Sequence, residues 1–122
     1  MPCILVIDDD EQFLGMMDTM LKLGGYEVLV ARDGREGIRI CEKTHLDLVI
    51  TDVIMPEMDG LEVIMELKRR FSGVKIVAVS GVGGRNGPGR YLEIATFFGA
   101  HSTLTKPFSQ EKLLKTVKEL VG

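Results

Sequence analysis

Four polar groups each follow directly on a short apolar run. Asp8, Asp9 and Asp10 follow CILVI (3–7), and Asp52 follows LDLVIT (46–51). Ser80 and Gly81 follow VKIVAV (74–79), and Lys106 follows the weaker run HSTLT (101–105). If these run ends share one pocket, the carboxylates of Asp8, Asp9 and Asp52 repel one another. Protonation or a bound cation relieves that repulsion. A hard divalent ion with oxygen ligands is the natural solution, and Mg2+ with retained waters suits a site offering few carboxylates. Such an ion also prepares a site for a phosphoryl group by neutralising its oxygens. Asp52 is then free to act as a nucleophile and form an acyl phosphate. Lys106 supplies a positive point charge and Ser80 a hydroxyl donor. Gly81 lets a backbone N–H approach closely.

The elements must bring these residues together. Apolar runs of this length suit strands covered on both faces. Strands are expected at 3–7, 26–31, 46–51, 74–79 and 101–105. Between them lie helical patterns. Phe13, Met17, Met20, Leu21 and Gly24 form the stripe of the first helix, which Gly24-Gly25 stops. The second helix is expected over 35–43, weakened by Gly37 in its interior. Leu61, Ile64, Met65 and Leu67 mark a third, running to about Arg70. Tyr91, Ile94, Ala95 and Phe98 mark a fourth, closed by Gly99. Ser109 caps the last, with Phe108 positioned to staple onto Leu113. The loop DVIMPEMDG (52–60) is punctuated by Pro56 and Asp59-Gly60, and five glycines in SGVGGRNGPGR (80–90) exclude regular structure through most of that stretch. Five strand–helix repeats imply an α/β fold, a parallel sheet with helices on both faces. Ligands of such sheets sit outside the carboxyl ends of the strands.

Bulk properties narrow the function. The 122 residues form one domain by length, with 45% hydrophobic and 27% charged residues and a net charge of −3. That charge gives no basic field for nucleic acid, so direct nucleic-acid binding is not expected. No apolar run has membrane-spanning length and no signal peptide is visible, which makes a cytoplasmic location the default. Cys3 and Cys41 read as small buried hydrophobes. Asp10 reads as a helix cap, Asp33-Gly34 as a turn, Asp59-Gly60 as a turn and helix start, and Asp47 as ordinary surface. His45 and His101 have no partners suggested by spacing.

The segments ILVIDDDE (4–11), YEVLVARDGREG (26–37), LDLVITDVIMPEMDGLEV (46–63), VKIVAVSG (74–81) and FGAHSTLTKPF (98–108) together resemble a response-regulator receiver domain of two-component signalling. The resemblance implies a doubly wound (βα)5 fold of flavodoxin type, strand order 2-1-3-4-5, filling residues 1–122 with no effector domain in this chain. It implies a phosphorylation-dependent switch and no enzyme beyond its own phosphorylation and dephosphorylation. Asp52 would be the phosphoacceptor. Asp9, Asp52 and the Ile54 backbone carbonyl would ligate Mg2+ directly, with Asp8 acting through a coordinated water. Lys106 would bind the phosphoryl group, with a cis Lys106-Pro107 bond orienting it. Ser80 would be the hydroxyl of the switch and the Gly81 backbone a phosphate contact. The implied partners are a histidine kinase or histidine phosphotransfer protein and a downstream protein or fused effector domain. The fourth helix, fifth strand and fifth helix would form a partner or homodimer surface. The first helix carries more apolar residues than one face needs, Leu14 and Met16 among them, which fits either a methionine-rich core edge or a docking face for the phosphodonor. Apolar Ile54 and Val82 would shield the acyl phosphate from water.

Two features depart from that pattern. Receivers usually carry an aromatic residue three positions before the lysine, where this chain has Thr103, so Thr103 cannot report a hydroxyl movement as a ring does. The spacing between Ser80 and Lys106 is also longer than usual, with the surplus in the glycine-rich stretch. Reshaping of 81–90 and the start of the fourth helix is the expected substitute. Two alternatives remain on the residues alone. One is a receiver-like binding module that works without phosphate. The other is an aspartate-nucleophile phosphohydrolase of the haloacid dehalogenase type, suggested by Asp8-x-Asp10. That class needs a further acidic pair after the lysine, and here only Glu111 and Glu119 follow, on a helix.

Overall fold

The computed structural model describes residues 1–55, 59–81 and 87–122, with the backbone alone for 87–90. Strands and helices alternate throughout: β1 (Cys3–Ile7), α1 (Glu11–Leu23), β2 (Glu27–Ala31), α2 (Gly34–Lys43), β3 (Leu48–Asp52), α3 (Gly60–Arg70), β4 (Lys75–Ser80), α4 (Gly87–Phe98), β5 (Ser102–Thr105) and α5 (Gln110–Val121). The five strands form one parallel sheet in the order β2-β1-β3-β4-β5, the doubly wound arrangement expected.

Side-chain alternation along the strands divides the core in two. Ile4, Val6, Leu48, Ile50, Val77 and Val79 face a layer that holds Leu14, Met17 and Leu21 of α1 and Leu113 and Val117 of α5. Leu5, Ile7, Val49, Ile76 and Ala78 face the opposite layer, with Ile38 of α2, Val63, Ile64 and Leu67 of α3, and Leu92 and Ala95 of α4. Each fully buried aliphatic side chain contributes roughly 1.5–3 kcal/mol, so both layers are needed to hold the strand ends in line.

Several boundaries shift from the sequence expectation, each for a local reason. Tyr26 belongs to the turn before β2, because its N–H bonds to the Leu21 carbonyl at 3.2 Å. Strands β3 and β4 run one residue further than expected and end on Asp52 and Ser80 themselves, paired with Val79 and Thr105. Both residues are therefore fixed by the sheet rather than by a loop. Helix α4 starts at Gly87, not at Tyr91. Its Pro88 falls in the first turn, where helical N–H groups have no partner to lose. The buried stripe of α1 is Leu14, Met17 and Leu21, while Phe13 and Met20 are half-buried. Leu14, 4% exposed, is a core residue and no docking residue; Met16 is 42% exposed.

Caps follow the sequence closely. Asp10, Asp33, Asp59 and Ser109 accept backbone N–H bonds at the starts of α1, α2, α3 and α5, so Asp33 is a cap rather than a plain turn. Asp47 is not ordinary surface: its carboxylate accepts the Cys3 N–H at 2.8 Å and ties β1 to the entry of β3. His101 also has a partner, since its Nδ1 accepts the Ile76 N–H at 3.0 Å. Burial, with Lys68 and Lys75 nearby, lowers its pKa, in keeping with an acceptor nitrogen. Both cysteines are free. Burial pushes the Cys41 thiol up to about 11, so it behaves as a small apolar side chain.

Candidate functional site

The register of the sheet sets the site. Ile7 pairs with Thr51, so the next residues, Asp8 just past β1 and Asp52 at the end of β3, lie side by side. The Asp8 side chain is buried, with 1% exposure, and its Oδ1 accepts the Asp10 N–H at 2.9 Å. Asp9 is exposed and Asp52 is half-buried. Carboxylate oxygens of Asp8, Asp9 and Asp52 lie within 4.8 Å of one another. Asp10, the third acid of the run, is turned away to cap α1.

Lys106 reaches this cluster from the end of β5. Its Nζ is 2.7 Å from Asp8 Oδ2 and 3.7 Å from Asp52 Oδ2. The Lys106 N–H donates to the Ser80 carbonyl at 2.8 Å, which joins the ends of β4 and β5. The Lys106–Pro107 peptide bond is cis. Ser80 is buried at the end of β4, and its hydroxyl donates to the Gly81 carbonyl at 3.5 Å. Gly81 is exposed, and a Cβ there would meet no atom within 4 Å. The Ile54 N–H donates to Asp52 Oδ1 at 3.2 Å, and the Ile54 side chain is 51% exposed. Val82 and residues 83–86 lie outside the described residues, as do 56–58.

Electrostatics single out Asp52. Burial, then Asp8, push its carboxyl up to about 6, with Asp9 adding a smaller push and Lys106 and the Ile54 N–H pulling the other way. A carboxylate held against its tendency to protonate gains from a nearby cation. The donor set of three carboxylates, all oxygen, fits a hard divalent ion such as Mg2+ and no soft one. Among the described residues one lysine faces three carboxylates, which leaves a net negative pocket for such an ion.

Thr103, the residue that departs from the family pattern, is half-buried on β5 opposite Ala78. It lines a space between α4 and β5 with Leu92, Glu93 and Thr96. Ser80 and Thr103 lie on adjacent strands, with Ser80 paired to Thr105 two residues further on.

Two residues near the site carry roles that the sequence alone did not reveal. Phe13, expected on the buried stripe of α1, places its ring 4.0 Å from Lys106 Nζ. Its signal was an aromatic in the first turn after an acidic strand end. At Gly60 a Cβ would lie 2.0 Å from the Asp52 carbonyl oxygen and 2.5 Å from Val53 Cα. The start of α3 therefore packs directly on the backbone that carries Asp52, and only a residue without a side chain fits there.

The chain is similar to proteins of known type in sequence and in fold. The family described as the response regulator receiver domain matches residues 4–118. A probable transcriptional regulator, ycf27, of Cyanophora paradoxa is 36% identical over 97% of this chain and 47% of its own length. The alkaline phosphatase synthesis transcriptional regulatory protein PhoP of Bacillus subtilis is 31% identical over 97% of this chain and 48% of its own. The chain thus spans about half the length of the curated relatives it matches. Among solved structures, a response regulator receiver domain protein of Clostridium thermocellum aligns with a TM-score of 0.90 at 29% identity, covering 99% of this chain and 94% of that one. Chemotaxis protein CheY4 of Vibrio cholerae aligns at 0.85 with 31% identity, covering 98% of each. No helix among the described residues is long and apolar enough to cross a membrane. The match over nearly the whole chain, the strand order and the acidic pocket at the strand ends agree, and the chain belongs to the response regulator receiver domain family of two-component signalling.

Proposed function

We propose that this domain is a phosphorylation-dependent switch in which Asp52 accepts a phosphoryl group from a histidine kinase or histidine phosphotransfer protein. The observation that carries the reading is the convergence of Asp8, Asp9 and Asp52 within 4.8 Å, with Lys106 Nζ between Asp8 and Asp52. A carboxylate oxygen of Asp52 attacks the phosphorus of the donor phosphohistidine. The new O–P bond gives an acyl phosphate, the donor P–N bond breaks, and the imidazole nitrogen leaves with the electron pair. Asp8, Asp9, Asp52 and the Ile54 carbonyl would hold Mg2+, Asp8 through a water. That ion would offset negative charge on the phosphoryl oxygens.

The chain's own residues supply the rest. Lys106 presents its ammonium to the phosphoryl group, Ser80 its hydroxyl and Gly81 its backbone N–H. Lys106 is paired with Asp8 before the reaction, so it is held near where the charge arrives. The domain catalyses its own phosphorylation and dephosphorylation and no further turnover. The output leaves through residues 81–108, toward a downstream protein or a fused effector domain, with the α4–β5–α5 face open to a homodimer. A cytoplasmic location fits this role.

Incubation with acetyl phosphate and magnesium tests the reading, with intact-mass detection of the product. One phosphoryl group per chain is expected on the wild type, with none on Asp52→Asn and none in excess chelator. Equal labelling of Asp52→Asn would overturn Asp52 as acceptor. A wild type that binds magnesium yet never labels would support the phosphate-independent module instead.

A further inference from the structure

Among the described residues three groups hold Lys106, and one of them carries no charge. Its Nζ lies 2.7 Å from Asp8, 3.7 Å from Asp52 and 4.0 Å from the centroid of the Phe13 ring. That distance is well inside cation–π range. The ring is itself braced, since Phe108 meets it edge-on at 6.0 Å with an interplanar angle of 90°. Phe13 sits in the first turn of α1, three residues past the cap Asp10, and Phe108 begins the approach to α5. The aromatic pair thus ties the two helix starts that flank Lys106.

We propose that Phe13 is a positioning residue for Lys106, holding its ammonium at the mouth of the acidic pocket through the face of its ring. The inference rests on the reading of Asp52 as phosphoacceptor and deepens it. The two carboxylates around Lys106 have other work in that reading, because both are also needed around a cation. When they turn to it, Lys106 loses its ionic partners. Phe13 is neutral, so it keeps the ammonium in place without cancelling its charge. A lysine side chain has many rotamers to lose, and a ring that limits them before the phosphoryl group arrives shortens the search. Phe13, Met16, Pro107 and Phe108 also line a groove beside the site, so the ring that holds Lys106 is reachable from outside.

The experiment compares wild type, Phe13→Leu and Phe13→Tyr. The first readout is the NMR shift of the Lys106 Hε protons, measured without any phosphodonor. A ring face at this distance moves them upfield of the other lysines. Phe13→Leu returns them to the ordinary position and Phe13→Tyr keeps them shifted. The second readout is the rate of phosphorylation by acetyl phosphate in saturating magnesium. A slowing of about two- to fivefold is expected for Phe13→Leu, the range of one exposed cation–π contact, with Phe13→Tyr close to the wild-type rate. Acetyl phosphate is chosen because it needs no docked partner, so a lost protein contact cannot mimic the effect. An ordinary Lys106 shift in the wild type overturns the proposal. So does a Phe13→Leu rate equal to wild type, or a Phe13→Tyr rate as low as Phe13→Leu. A wild type that takes no label, or labels away from Asp52, overturns the phosphoacceptor reading instead. The Lys106 shift then still decides whether Phe13 holds the ammonium.

Discussion

At the scale of single residues, Asp52 is destabilising in its ionised form. Burial and Asp8 raise its carboxyl from 3.8 to about 6, while Lys106 and the Ile54 N–H recover part of the loss. The folded state therefore binds the proton more tightly than the unfolded chain does. Stability is greatest below the unfolded value and falls as pH rises from about 4 through about 6. A rise of that size is worth about 2–3 kcal/mol. Asp52→Asn removes the titrating group while keeping its shape. In chelator at about pH 7, urea unfolding should find Asp52→Asn more stable than wild type by about 2 kcal/mol, with the difference vanishing near pH 4. Magnesium should close the gap at about pH 7 by binding the folded wild type. A difference that stays the same at both pH values would show that burial of Asp52 carries no such penalty. The same electrostatic load that weakens the fold favours a cation beside Asp52, as the proposed phosphoryl transfer requires.

At the scale of elements, the site depends on how closely α3 meets β3. The Gly60 N–H bonds to the Val53 carbonyl at 3.3 Å, and Asp59 caps the helix through the Glu62 N–H at 3.0 Å. A Cβ at position 60 would overlap the Asp52 carbonyl oxygen, which is backbone and cannot rotate away. Gly60→Ala should therefore lower stability by about 1–3 kcal/mol, the ordinary cost of overpacking. It should also slow phosphorylation of Asp52, because relief requires moving the end of β3. An alanine variant with wild-type melting temperature and labelling rate would refute that packing argument. The sequence showed Asp59-Gly60 only as a turn and helix start, since a close approach between distant backbones leaves no local mark. The same holds for Gly37, read as a weak point of α2, where a Cβ would lie 2.4 Å from Ile7 Cδ1. By contrast, the strands, the caps Asp10 and Ser109 and the strand-end acids were legible, because periodicity and capping are local signals. Phe13 falls on the apolar stripe of α1 by spacing, and spacing cannot tell a core ring from one turned onto a lysine. Its partner Lys106 lies 93 positions away in the chain.

At the scale of the whole molecule, the question is how a change at Asp52 reaches the surface. The helices differ in how firmly the core holds them. Helix α1 buries Leu14, Met17 and Leu21, and α3 buries Val63, Ile64 and Leu67. Among its described side chains, α4 buries the single large residue Leu92 together with Ala95. It also faces a space beside the small Thr103. Low buried apolar area puts a segment at the low end of local stability. The strand beneath it, β5, is a four-residue edge strand joined to β4 at both ends, by His101 with Ile76 and by Lys106 with Ser80. The second of these joints carries two of the residues proposed to meet the phosphoryl group. A ligand shifts such a segment only if it contacts two pre-existing arrangements differently, and Ser80 and Lys106 supply that difference at the end of β4 and β5. Beryllofluoride with magnesium, as an acyl-phosphate mimic, should therefore change amide exchange across 81–98 by about tenfold, the effect of a shift of about 1.4 kcal/mol in a local opening equilibrium. Amides of α1 and α3 should change far less, because their anchors do not touch that joint. Binding of the mimic is verified by the same measurement at the amides next to Asp52. Altered protection there, with none across 81–98, would mean that the signal does not pass through α4 at all. A change next to Asp52 that extends to 81–98 and β5 but spares α1 and α3 would mean that a weakly anchored helix over a small Thr103 carries the signal.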